Sequence, residues 1–279
     1  MNQPQLIHDL HKKIKYIEQS NNATVGIYAF DTRNPHKVIK YNANACFPSA
    51  SSVKLLVAFA VMKISEGNHN RTCVHVAEED IVRGNGVLAH IGLRTHSLSD
   101  MLYFLLAHSD NTAQRALERH FSTENITSCI NTLSLPHTNY VPLCDTTEKK
   151  RSTTSPTDMA HFLCDLHSGK LLMATQTEAI LATMAKNTTT YFGLRALPCA
   201  LNTTAPTILA HYTKSGKLRD LVCDNCILTH ATGTTYISIF IQNYLTNTYG
   251  NNVDNAAILS LSELSRDTHV LMQKINNNK

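Results

Sequence analysis

The sequence predicts an α/β protein of the α+β kind: an antiparallel five-stranded sheet flanked by N- and C-terminal helices, with an all-helical subdomain inserted into it. Three observations predict this. Strand-like segments occur only towards the two ends of the chain, two before residue 47 and three after residue 205. The stretch between them has helical periodicity with legible caps, and amphipathic helices open and close the chain. If the two strand groups pair into one sheet, residues 1–46 and 205–279 form the α/β part and residues 47–204 hang off it as the helical part. A crevice between two such parts is where a ligand site is sought.

Each element has its own warrant. "MNQPQLIHDLHKKIKYIEQ" has helical spacing, and "ATVGIYAF" (23–30) and "KVIKY" (37–41) are rich in β-branched and aromatic residues. Between those two, Asp31 to Pro35 supplies turn chemistry, so they read as a hairpin. "SLSD" (97–100) opens the helix "MLYFLLAH", Ser155 and Pro156 open "TDMAHFLCDL" with Gly169 closing it, and Thr175 with Glu178 opens "AILATMA". From Pro48 to about Lys186 the expectation is helix throughout. Strand character returns in "TILAHYTK" (207–214), "CILTHATG" (226–233) and "TYISIFIQ" (235–242), and an amphipathic helix runs from Asp254 to Ile275.

Composition narrows the function. With 279 residues, 43% of them hydrophobic, the chain can bury a substantial core. Its net charge is +4, but the 25 basic residues are scattered, and clusters such as Lys149, Lys150 and Arg151 are too short to track a phosphate backbone, so no nucleic-acid partner is expected. No run approaches the roughly 18 apolar residues of a membrane span, and the N-terminus has charges where a leader would have an apolar core. Eight cysteines spread through predicted helices and strands read mostly as free, buried thiols. The N-x-T triplets at Asn22, Asn70, Asn125, Asn187 and Asn202 follow from a composition rich in Asn and Thr.

The chemistry-bearing stretch is "FPSASSVKLLVAFA" (47–60), where three serines precede a greasy helix and a lone lysine interrupts it. Residues three apart share a helix face, so Ser51 and Lys54 look at the same space while Ser52 looks away. Ser49, next to Pro48, suits a cap. Alone, S-x-x-K is common, and Ser51 as a cap with Lys54 reaching for solvent is the bland alternative. Downstream stand Ser109-Asp110-Asn111 between two helices, and Lys214-Ser215-Gly216 at a strand end, where alternation separates Lys214 from Ser215 unless Gly216 marks a bulge or a close approach.

S-x-x-K, S-D-N and K-[ST]-G in that order are the signatures of serine penicillin-recognising enzymes. The sequence resembles the class A β-lactamase catalytic domain, within the serine β-lactamase and penicillin-binding-protein superfamily, over nearly its whole length. "FPSASSVKLL", "LLAHSDNTA", "STTSPTDMAHFL" and "YTKSGKLRDLVCDNCIL" carry the likeness. The resemblance implies a β-lactamase/transpeptidase-like fold and acyl transfer through Ser51, with Lys54 as general base and Ser109 relaying a proton to the leaving nitrogen. It implies that Asn111 binds Lys54 and the substrate amide, that Lys214 and Ser215 bind the substrate carboxylate beside Gly216, and that the N–H groups of Ser51 and Lys217 form the oxyanion hole. Such a hole is worth roughly 3 to 4 kcal/mol per donor. Lys214 is also expected to depress the pKa of Lys54. The implied partners are a β-lactam or a cell-wall peptide, with no metal or cofactor required, and a monomer is expected. The family's setting implies a periplasmic or extracellular location for a chain whose leader has been removed, and a cytoplasmic one for the chain taken literally.

One part of the pattern is missing. Class A enzymes hydrolyse the acyl-enzyme with a glutamate in an E-x-x-L-N stretch, whereas this chain has "LPHTNYVPLCDTTEKKRSTTSP", with Asn139 at the counted place of the base and Asp145 and Glu148 nearby. The expectation is therefore a β-lactamase-type hydrolase with weak deacylation. The alternatives are a penicillin-binding D,D-peptidase-like enzyme and a non-catalytic binding module. Cys223, Cys226 and His230 lack a fourth ligand for zinc, Asp224 reads as a turn or strand-edge residue, Arg195 as a surface arginine, and His108 as the histidine to test for a pH effect.

Overall fold

In the computed structural model, which describes residues 3–92, 94–143, 150–187, 208–244 and 255–277, the two β-rich ends of the chain come together. Strands β1 (Thr24–Asp31) and β2 (Ile39–Tyr41) form the predicted hairpin, with the Asp31 carboxylate and carbonyl accepting the N–H groups of Arg33 and Asn34 at the turn. Two short ladders follow, β3 (Phe47–Pro48) with β6 (Thr153–Thr154), and β4 (Cys73–His75) with β5 (Thr95–Ser97). The long strands are β7 (Ile208–Lys217), β8 (Leu221–His230) and β9 (Gly233–Gln242). The main sheet has five strands in the order β2-β1-β9-β8-β7, every pair antiparallel.

The helices are α1 (Gln3–Asn21), α2 (Lys54–Ile64), α3 (Leu88–Ile91), α4 (Leu98–Ala107), α5 (Asn111–Phe121), α6 (Thr123–Ile130), α7 (Pro156–His167), α8 (Ala174–Met184) and α9 (Ala256–Asn277). Alternation along β9 sends Ile237, Ile239 and Ile241 to one face of the sheet, against Leu10 and Ile14 of α1 and Leu261 and Leu264 of α9. The other face sends Tyr236 and Phe240 towards α2 and α7, where Phe240 stacks on Phe47 at 5.3 Å. Helix α2 is buried from Lys54 to Met62, which is why its sequence is apolar all round.

Caps set the helical boundaries. Ser97 accepts from the Asp100 N–H, Asp110 from Ala113, and Ser155 from Asp158, with Pro156 at the first helical position and Gly169 closing at φ 73°. Three expectations are corrected. The middle of the chain is not all helix, because the β3–β6 and β4–β5 ladders lie in it; two- and three-residue strands are too short to leave an alternation in the sequence. Helix α8 begins at Ala174, so Thr175 lies inside its first turn, and Gln176 Oε1 accepts from the Met173 N–H instead. Of the six described cysteines, all free, only Cys223 and Cys226 are buried, while Cys46 and Cys73 are exposed. Among the described residues, no helix is long and apolar enough to cross a membrane.

Candidate active site

The 3₁₀ turn Ala50–Val53 delivers the chain from β3 into α2 and carries Ser51 at the helix entrance. Ala50 has φ 46°, a left-handed conformation costly for a residue with a Cβ, and the turn is pinned from two sides. On one side the Ser49 N–H bonds the Ser152 carbonyl at 2.9 Å. On the other, β7 comes so close that a Cβ on Gly216 would lie 2.8 Å from Ala50 Cβ and 2.9 Å from Ser51 N. Gly216 therefore marks a close approach; the bulge of β7 is elsewhere, between Ile208 and Ala210. Ser52 is buried and donates to the Ser49 carbonyl, while the Ser49 side chain makes no capping bond to the turn. Ser49 thus stands at the N-cap position of the turn as expected, but its carbonyl accepts from Ser52 and its hydroxyl donates to the Ala50 carbonyl at 3.4 Å instead of capping an N–H.

Lys54 is 1% exposed, and its Nζ lies 3.4 Å from Ser51 Oγ, 3.2 Å from Ser109 Oγ, 2.7 Å from Asn111 Oδ1 and 2.5 Å from the Ser109 carbonyl. The last two atoms can only accept. A neutral amine meeting both spends its two N–H bonds there and leaves its lone pair for a hydroxyl. Burial holds the Lys54 pKa well below that of a free lysine, and the charge of Lys214 lowers it further, against the pull of Asp110 and Glu118.

Ser109 joins the two lysines. It sits at φ 55° between α4 and α5, its carbonyl accepting from Asn85 Nδ2 at 3.1 Å as well as from Lys54, and its Oγ lies 3.0 Å from Lys214 Nζ. Asp110 stabilises this corner by accepting from the N–H groups of Val87, Leu88 and Ala113. Lys214 is fully buried, and burial brings its pKa down to about 8 against the opposing charge of Asp224. Lys217 is also lowered by burial.

Ser51, Lys54, Ser109, Asn111, Ser215, Gly216 and Lys217 line one cavity of about 870 Å³, with Lys214 behind its wall. All eight sequence-predicted residues are thus brought together from three separate segments. His108 lines the same cavity, its ring against Tyr103 at 5.0 Å. Asn139 is not in the described cavity lining; its backbone is bridged to Thr153. Asp145, Glu148 and Arg195 lie outside the described residues.

One further reading changes. Asp224 is in β8, an interior strand, rather than at a turn or edge; it is 3% exposed and accepts from Thr213 Oγ1. Cys223 and Cys226 belong to the cores on opposite faces of the sheet, so they cannot share an ion, and among the described residues no cluster of His, Cys, Asp or Glu is placed to hold a metal. Sequence reasoning passed over Asn85, Gln114, Glu118, Lys150 and Arg151. Of these all but Glu118 line the cavity, and Glu118 lies directly behind Gln114. A signal existed for two of them, since Gln114 and Glu118 follow Asn111 at the spacing of one helix face.

Comparison with known proteins bears on the family and the fold. Residues 9–269 match the Beta-lactamase enzyme family. The chain belongs to that family, and with it to the serine β-lactamase and penicillin-binding superfamily. It is similar to β-lactamase CTX-M-97 of Escherichia coli, 26% identical over 197 residues that cover 68% of this chain and 67% of that one. Among solved structures, PBP-A superposes with a TM-score of 0.79 at 18% identity, covering 97% of this chain and 96% of the other. The β-lactamase from Sphaerobacter thermophilus DSM 20745 gives 0.77 at 19%, covering 94% and 97%. At those identities the structural likeness speaks for the shared β-lactamase fold.

Proposed function

We propose that this β-lactamase-family protein opens β-lactams by forming an acyl ester on Ser51, and that it hydrolyses the ester slowly. The observation that carries the reading is the position of Lys54 Nζ: buried, depressed in pKa, and 3.4 Å from Ser51 Oγ. In acylation the Lys54 amine takes the Ser51 proton while Oγ attacks the ring carbonyl. The N–H groups of Ser51 and Lys217 receive the developing oxyanion. Ser109, between Lys54 and Lys214, passes a proton to the leaving nitrogen, and Lys214 with Ser215 holds the substrate carboxylate. Asn111, whose oxygen is taken by Lys54, offers its amide N–H to the substrate.

A second reading, a penicillin-binding peptidase that traps β-lactams, has a specific observation in its favour. The described lining of the cavity carries no carboxylate, and the segment facing Ser51 contributes Val141, Pro142 and Leu143 instead. Without a general base, the ester outlives its formation. A chromogenic cephalosporin followed by colour and by intact mass separates the readings. Many turnovers indicate a β-lactamase, and one persistent adduct on Ser51 indicates a penicillin-binding protein. No adduct at all overturns both and leaves a binding module. Turnover surviving Ser51→Ala would remove Ser51 from the mechanism.

A further inference from the structure

Glu118 is a fully buried carboxylate on α5 that the acylation scheme does not use. It accepts from Gln114 Nε2 at 2.7 Å, from the Tyr140 hydroxyl at 2.8 Å and from the Leu143 N–H at 2.9 Å. Gln114 meets it with its amide nitrogen, so the carbonyl oxygen of that amide turns away. Gln114 is 3% exposed, and what it does expose lines the cavity of Ser51. Among the described residues nothing donates to its Oε1, and that atom is not sealed from solvent. Asn111, Gln114 and Glu118 run along one face of α5: the first bonds Lys54, the last braces the Tyr140 to Leu143 wall, and the middle one presents an unused acceptor between them.

We propose that Gln114 is a catalytic residue of acyl-enzyme hydrolysis, its carbonyl oxygen holding the attacking water, and that Glu118 is the positioning residue that fixes the amide in that orientation. The proposal rests on the acyl-Ser51 reading above. In the step, the water oxygen bonds to the ester carbonyl carbon and the bond from that carbon to Ser51 Oγ breaks. One water proton passes to the neutral Lys54 amine and from there to Ser51 Oγ, while the other stays on the acid product and is lost to solvent. Gln114 accepts a hydrogen bond and no proton, so it orients the water without activating it. That accounts for a slow second step in a cavity whose described lining has no carboxylate.

The test acylates the full chain with benzylpenicillin, verifies acyl-Ser51 by intact mass, removes excess drug and follows loss of the adduct. Gln114→Glu made together with Glu118→Gln, so that two carboxylates do not share the 2.7 Å contact, puts a base where the oxygen was and is expected to speed deacylation about tenfold or more, within the range general-base catalysis supplies. Gln114→Leu is expected to slow it about fivefold or more, so the two variants diverge in opposite directions. Glu118→Gln, which lets either end of the Gln114 amide face inward, is expected to slow deacylation and also to move the acid limb of acylation to lower pH, because the charge holding up the Lys54 pKa is gone. That shift reports the lost charge alone; the positioning role is read from deacylation, which Glu118→Gln is expected to slow in the unmodified chain and to leave unchanged in Gln114→Leu. If Gln114→Leu does not fold, the other two variants decide. Unchanged deacylation, or equal slowing in the Gln114→Glu, Glu118→Gln double variant and in Gln114→Leu, overturns the proposal while leaving the acyl-Ser51 reading standing. Failure of the unmodified chain to form any adduct overturns that reading and this one together.

Discussion

Lys214 shows how one side chain sets both the pH range and the stability of the site. With a pKa of about 8 it is largely charged at neutral pH and loses its proton just above it. Capture of a substrate carboxylate should therefore fall off above pH 8, and the acylation rate constant measured at low β-lactam concentration should show an alkaline limb there. Lys214→Arg keeps its charge at all accessible pH and is expected to remove that limb. Lys214→Met takes away a charge that depresses Lys54, so the acid limb is expected to move to higher pH. The linkage sign is definite as well. The folded pKa lies below the unfolded 10.5, so the cost of burying the charge is fully present below pH 8 and is relieved as pH rises from 8 to 10.5. Lys214→Met should consequently be more stable at pH 7 in urea titration, by something on the order of 3 kcal/mol before its lost hydrogen bonds are counted, with the gain shrinking above pH 8.

At the scale of elements, the site depends on how closely β7 passes the turn before α2. Gly216→Ala would drive a Cβ into Ala50 Cβ, Cys223 Sγ and the backbone nitrogen of Ser51, all within 2.9 Å, and because Ala50 Cβ and Ser51 N have no rotamer to escape into, the strand or the turn must be displaced. An ångström of misplacement in a reacting group costs about a hundredfold in rate. Acylation of Ser51 is expected to fall by about that much, with far-UV circular dichroism unchanged. Ser155→Ala, which removes the cap of α7, should cost about 1 kcal/mol in a urea titration. These elements were legible in the sequence for physical reasons. Caps use few residue types, long strands alternate, and the serine and lysine of S-x-x-K share a face whatever else the chain does. The β3–β6 ladder was not legible, because two residues carry no period. Nor was the buried place of Asp224, because its partner Thr213 comes from a neighbouring strand. The role of Glu118 was hidden in the same way: its donors Tyr140 and Leu143 lie more than twenty residues away in sequence.

For the whole molecule, the join between sheet and C-terminal helix governs behaviour in acid. Arg33 and Asp31 pair through two 2.8 Å contacts, Arg33 bonds Gln273 of α9 at 2.8 Å, and Gln273 donates to Thr235 at 3.1 Å. The same amide lies 3.0 Å from His230 Nε2, which must then be the acceptor and so unprotonated at that nitrogen. Behind it His269 stacks on His230 at 5.1 Å, fully buried, and burial with the neighbouring His230 holds its pKa down to about 3 although Asp31 pulls the other way. In the unfolded chain the same imidazole titrates near 6.5. Between those values the unfolded state binds the extra proton, so stability is complete above pH 6.5 and drains as pH falls, by at most about 1.4 kcal/mol per pH unit from this one group. Urea midpoints taken from pH 7 down to pH 4 should decline accordingly. His269→Phe keeps the ring stack without the titrating nitrogens, and its decline should be shallower across the same range. A variant curve parallel to that of the unmodified chain would show that the acid sensitivity lies elsewhere, with the carboxylates of the network, Asp31 first, as the groups to test next.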